Sequence, residues 1–202
     1  MELNEEKITQ LIEEVSLFKE INLSEIPAID LYMDQITTFF DNKLGHLKRN
    51  EKDVILTKTM INNYTKGKIL MPPDKKKYSK DHIILLILIY YLKQTISIND
   101  IESLLSPIIK DITTPKEDDR DLDNLYSAFL ELKKEEVNSF ERSIKEKSGL
   151  IKEKAQDSNF ENQESAELFL MVIMLLNQAD LHKRLAEKII DNFYSKNNQK
   201  KK

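Results

Sequence analysis

TKTMINNYTKGKILMPPDKKKYSK, residues 57–80, sets Lys58, Lys66, Lys68, Lys75, Lys76, Lys77 and Lys80 against one acid, Asp74. The local balance is +6 in a chain of formal net charge −4, which leaves −10 for everything else. An acidic remainder restrains indiscriminate binding to polyanions, while a compact basic face can still hold a phosphate backbone. Thr57 can accept a bond from an amide two or three residues on, which starts a helix running to about Lys66, and Gly67 suits its exit. Pro72 and Pro73 cannot continue a helix and lead into the lysine run 75–77.

The flanks on both sides read as helices. With three glycines, five prolines, 33% charged and 40% apolar residues in 202, the chain is expected to be all-α or nearly so, with a sizeable core. Ile8, Leu11, Ile12, Val15 and Phe18 recur at helical spacing over 4–19. Ser24 and Pro27 are expected to start a second helix with Ile29, Met33, Ile36, Phe39 and Phe40 along one side and Gly45 at its end. A polar break follows at 45–53. Ser79 caps a helix over 80–94, and Ser97 caps another, with Asp100 where a capping box puts its acid and Pro107 disturbing its end. Residues 113–121 are the linker candidate. Beyond it, Leu122, Leu125, Phe129, Leu132, Val137, Phe140 and Ile144 form one amphipathic stripe, and a second long helix lies within 161–194. The domain plan is thus 1–112, with the recognition core in 26–110, a linker, a helical hairpin over 122–195 for dimerisation or effector binding, and a solvated basic tail at 196–202. The hairpin is expected to pack as an antiparallel pair on the first half or across a dimer axis.

Several function classes find no support. There is no cysteine, hence no disulfide or thiolate chemistry, and a reducing compartment suits the chain. No Gly-rich phosphate loop, no G-x-S-x-G elbow and no acid–base pair stands out, so no enzyme and no cofactor is expected. His46, His82 and His182 are isolated in sequence and read as caps or surface residues, without metal-ligand spacing. Tyr64, Tyr90 and Tyr91 read as core or boundary residues. The start MELNEEKITQ is acidic, and the longest apolar runs, 83–92 and 168–176, reach ten and nine residues. A membrane span needs about twenty, so both runs are expected in the core of a cytoplasmic protein with no membrane contact.

A long helix, a break, a short polar helix, a basic loop and a buried helix make the layout of a winged helix-turn-helix. Thr57, Lys58, Thr59, Asn62, Asn63 and Lys66 on the helix and its cap, Lys68 just past its exit, and Lys75, Lys76, Lys77 and Tyr78 in a short basic hairpin, are the candidate nucleic-acid contacts. An asparagine amide can bond an adenine edge bidentately in the major groove, and lysines neutralise phosphate. Residues 57–105 also resemble the DNA-binding domain of the MerR-type regulators, whose second helix reads Ser, two variable residues, Thr, Leu, Arg, Tyr, Tyr and ends in Gly, two leucines and prolines. Thr57 falls at the Ser, Ile61 at the Leu, Tyr64 at the second Tyr, Lys66 at a commonly basic position, and Ile69 with Leu70 at the leucine pair. YSKDHI resembles the opening of that family's third helix, and SINDIESLL its next. Asn62 and Asn63 replace the usual Arg and first Tyr, Gly67 stands one place early, and the wing is shorter. The stretches 26–40, 56–70, 72–83 and 88–94 are also similar to an uncharacterised YkrK-like domain of unknown function from low-GC Gram-positive bacteria, a likeness that brings no activity. The expectation is a non-catalytic, homodimeric transcription regulator on double-stranded DNA. The alternative is a helical interaction protein whose basic face meets an acidic partner.

Overall fold

The computed structural model describes residues 5–16, 20–114 and 121–194. Among these lie seven α-helices: α1 (Glu5–Ser16), α2 (Met33–Leu44), α3 (Lys58–Lys66), α4 (Lys80–Leu92), α5 (Ile98–Thr113), α6 (Asp121–Asp157) and α7 (Gln163–Ile189). Their one sheet pairs β1 (Leu31–Tyr32) with β2 (Lys77–Tyr78) antiparallel. Among the described residues the chain is therefore all-α but for two short strands. No described helix is long and apolar enough to cross a membrane.

The fold separates into two compact units, one of residues 19–129 with 185–202 and the other of 1–18 with 130–184. In the first, α4 is the central element. Ile83, Ile84, Leu85, Leu86, Ile87 and Ile89 are all fully buried, so this helix is apolar on every side because it has protein on every side. Ile36, Phe40 and Leu44 of α2, and Ile101 and Leu105 of α5, are buried as well. Ser97 and Asp100 close the expected capping box at the start of α5, with the Ser97 hydroxyl accepting from the Asp100 amide at 3.2 Å.

Three expected elements differ. Ser24 and Pro27 do not start α2. Asn22 caps a short 3-10 turn, Leu23–Glu25, and the chain then passes through bends at Ile26, Ala28 and Ile29 before Leu31 pairs opposite Tyr78. The helix begins only at Met33, where the Gln35 side chain accepts from the Tyr32 amide at 2.8 Å, and Ile29 is left exposed ahead of it. Pro107 does not disturb the end of α5, which continues through it to Thr113. Its exposed ring can be accommodated on a solvent-facing side at the loss of one backbone bond. Nor does the chain divide at 113–121. The first turns of α6 belong with the α2–α5 body because Tyr126, fully buried, donates to the Ile21 carbonyl at 2.6 Å and Asp123 pairs with Lys80 at 2.6 Å. Residues 115–120 of the expected linker, Phe18, and the basic tail lie outside the described residues.

In the second unit, Ile8 and Ile12 of α1, Ile144 and Ile151 of α6 and Met171 of α7 share a core, with Leu170, Met174 and Leu175 packed on it. The expected α6 stripe is only partly inside. Leu132 and Phe140 are exposed, as is Leu125 in the first unit, whereas Tyr126, outside the stripe, is buried. The apolar run 168–176 is expected in the core from its sequence, yet Leu168, Phe169, Val172, Ile173 and Leu176 are exposed. A three-helix unit has one inner face per helix, and this run is apolar on two.

Candidate nucleic-acid interface

Helix α3 is nine residues long and two-faced. Ile61 and Tyr64, three apart, are buried, while Lys58, Thr59, Asn62, Asn63 and Lys66 are exposed on the remaining surface. Burial raises the Tyr64 phenol above its ordinary pKa. Thr57 is the expected cap: its Oγ1 accepts from the Met60 amide at 3.1 Å, which spends the hydroxyl on the helix and leaves the side chain only half exposed. Lys58 is held by Asp34 of α2, a partner with no sequence signal of its own. The exposed surface is thus a row of amides, a hydroxyl and ammoniums on a rigid helix anchored by its apolar side.

The exit of α3 departs from expectation in an informative way. Gly67 has an ordinary negative φ of −78°, and Lys68 takes the left-handed conformation with φ 59°. The Lys68 amide donates to Thr65 O at 3.1 Å and the Ile69 amide to Tyr64 O at 3.0 Å, the two bonds of a Schellman ending with Lys68 in the place usually given to glycine. Gly67 has a steric role instead, since a Cβ there would meet the Asn63 carbonyl at 3.2 Å.

The lysine run forms a tight turn. The Lys77 amide donates to Asp74 O at 2.8 Å, and Lys75 and Lys76 between them have φ of 47° and 67°. Two consecutive left-handed residues make this the kind of turn that asparagine and glycine ordinarily fill. Lys68, Lys75 and Lys76 are three of the four non-glycine residues with positive φ among those described, so left-handed backbone is concentrated in the basic segment. Each costs roughly 1–2 kcal/mol against an ordinary conformation. The hairpin is smaller than expected: beyond the Asp74–Lys77 bridge, β2 pairs with β1 from before α2.

Tyr78 is corrected by its burial. At 3% exposure, with its hydroxyl against Met33 Sδ at 3.8 Å and its ring edge-on to His82, it faces the core and is not available to a ligand. Pleat alternation sends Lys77 the other way, where its ammonium lies 5.5 Å from the centre of the Tyr32 ring. His82, read from sequence as a cap or surface residue, is a buried cap. Its Nδ1 accepts from the Ser79 amide at 3.0 Å, and its Nε2 lies 3.4 Å from the Pro72 carbonyl, which ties the stretch ahead of the turn to α4. Burial holds its pKa below the usual histidine range. A Ser followed three residues later by a side chain able to accept from the Ser amide is the sequence signal for it.

The structure therefore groups ten of the eleven candidate residues on exposed or half-exposed surface of one compact unit, in which α2 packs against both α3 and β2. Among the described residues no cluster of His or carboxylate groups could hold a metal ion. No curated protein and no solved structure matches the chain. A family model described as a domain of unknown function (DUF1836) matches residues 21–129, the body of the unit that carries the basic segment, and the chain belongs to that family.

Proposed function

We propose that residues 57–77 are the DNA-contacting surface of a transcription regulator of MerR-like type, with α3 entering the major groove and the 74–77 turn set against the phosphate backbone. The observation that carries this reading is the division of α3. Its buried Ile61 and Tyr64 fix the helix, and its five exposed side chains, Lys58, Thr59, Asn62, Asn63 and Lys66, are all hydrogen-bond donors, hydrogen-bond acceptors or cations, the composition that base edges and phosphates require. Two features of the backbone support it. Lys68 is left-handed at the position where the MerR-type pattern has its glycine, and a tight basic turn follows where that pattern has its wing. The likeness to YkrK-like proteins carries no activity and adds nothing to this reading.

Fluorescence anisotropy on fragments of the source genome, at two salt concentrations, tests it. Selective binding of some duplexes, with affinity falling steeply as salt rises through release of condensed counterions, is the expected result. A folded protein that binds no duplex at low salt would transfer the basic surface to an acidic protein partner.

A further inference from the structure

In the unit formed by α1 and the 130–184 segment, α7 is apolar on two opposite sides. Leu170, Met171, Met174 and Leu175 pack on the core of Ile8, Ile12, Ile144 and Ile151. Leu168, Phe169, Val172, Ile173 and Leu176 recur at i, i+1, i+4, i+5 and i+8 on the other side, with exposures of 41, 66, 55, 49 and 61%. This patch is bounded. Asn162 and Ser165 precede it, and Asp180, Lys183 and Arg184 follow it along the same side of the helix. A contiguous apolar surface rimmed by polar groups marks an interaction site more often than bare monomer surface.

We propose that a second copy of this chain covers this face, the two α7 helices lying antiparallel about a two-fold axis between Val172 and Ile173. Charge selects the occupant and its direction. On the side that carries the patch, the amino-terminal end has Glu161, and the other end has Lys183 and Arg184, with Asp180 paired to Arg184 at 2.7 Å. The amino-terminal end of the patch is thus −1 and the other end +1. An antiparallel pair sets each acidic end beside a basic end, Glu161 opposite Arg184 and Asn162 opposite Lys183, while Phe169 falls opposite Leu176. A parallel pair sets like against like at both ends. Because the axis crosses the stripe at its middle, one patch is complementary to itself, as an isologous interface requires. The stripe offers a few hundred Å², less than the roughly 800 Å² per partner of a standard stable interface, so the dimer is expected to dissociate in the micromolar range. The proposal stands apart from the DNA reading and uses none of its residues.

The chain has no cysteine, which makes single introduced cysteines clean reporters. About the stated axis the two copies of residue 172 are adjacent, whereas those of residue 179 are about 20 Å apart at 1.5 Å rise per residue, far beyond disulfide reach. Val172→Cys is expected to form an oxidised covalent dimer, and Ala179→Cys to remain monomeric on a non-reducing gel. Light scattering of the native chain is expected to rise from monomer to dimer mass between low and high micromolar concentration. Ile173→Lys, at an exposed site, should abolish that rise with an unchanged thermal melt. A native chain that stays monomeric throughout, a dimer that survives Ile173→Lys, or equal cross-linking at both cysteine positions would overturn the proposal.

Discussion

Asn62 and Asn63 stand on the open face of α3 with amides that can pair with a base edge, and nothing in their exposure makes them necessary to the fold. Replacing either by alanine should cost on the order of 1–3 kcal/mol of binding on a preferred duplex, if it reaches a base, and much less on random DNA. Thermal melting should stay within the small range of surface changes. Lys68 makes the opposite demand. Its left-handed backbone is one that glycine adopts without strain, so Lys68→Gly is expected to stabilise the protein by about 0.5–1 kcal/mol in urea unfolding. The same change removes a cation from the basic surface and should weaken duplex binding, so stability and affinity move apart. His82 gives the residue scale its pH dependence. Burial lowers its pKa from 6.5 in the folded chain, against smaller opposing effects of the Pro72 carbonyl, Asp81 and Asp30. The unfolded chain therefore takes up the proton first. Its contribution to stability is complete above about 6.5 and declines as pH falls through that value toward the folded pKa. Urea midpoints should drop between pH 7.5 and 5.5, and the slope should be reduced in His82→Gln. Glu25, drawn down to about 2 by Lys43 and the Asn22 amide, acts in a separate and more acidic window, below its ordinary 4.5.

At the scale of elements, Pro107 supplies the sharpest test of helix energetics. It sits inside α5, exposed, where a residue with an amide could donate one more backbone bond. Pro107→Ala is expected to raise stability by about 1–3 kcal/mol in denaturant unfolding, and a loss of stability would mean that the ring fits a shape the helix needs. The elements also show which local signals survive folding. Thr57, Ser97 and Asp100 act as their spacing implies because a cap is decided within four residues. The span of α4 is legible for the same reason, since ten apolar residues behind a cap leave few choices. The start of α2 is not. Ser24 and Pro27 look like a helix entrance, but the chain there forms a short 3-10 turn and bends, and Leu31 then pairs with the distant Tyr78. Tyr78 is misleading as a candidate contact for the same cause, because a two-residue strand has too little alternation to reveal which side is inside. On α6 and α7 the apolar pattern is visible, but periodicity says which residues share a face and not whether that face meets a neighbour, so Phe169 and Leu176 lie open.

For the whole molecule, the basic segment and the family match fall in one unit and the open face of α7 in the other. Duplex binding and self-association should therefore be separable by mutation. The claim on which the account turns is that the lysine turn meets phosphate. Anisotropy of a labelled duplex, titrated with native protein and with the Lys75→Ala/Lys76→Ala/Lys77→Ala variant over a series of salt concentrations, measures it. All three side chains are exposed, so the variant should melt as the native chain does. The variant is expected to bind every sequence more weakly, with a slope of log affinity against log salt that is shallower by up to about 0.9 for each phosphate it leaves unneutralised. A folded variant that keeps both the native affinity and the native slope would contradict that claim.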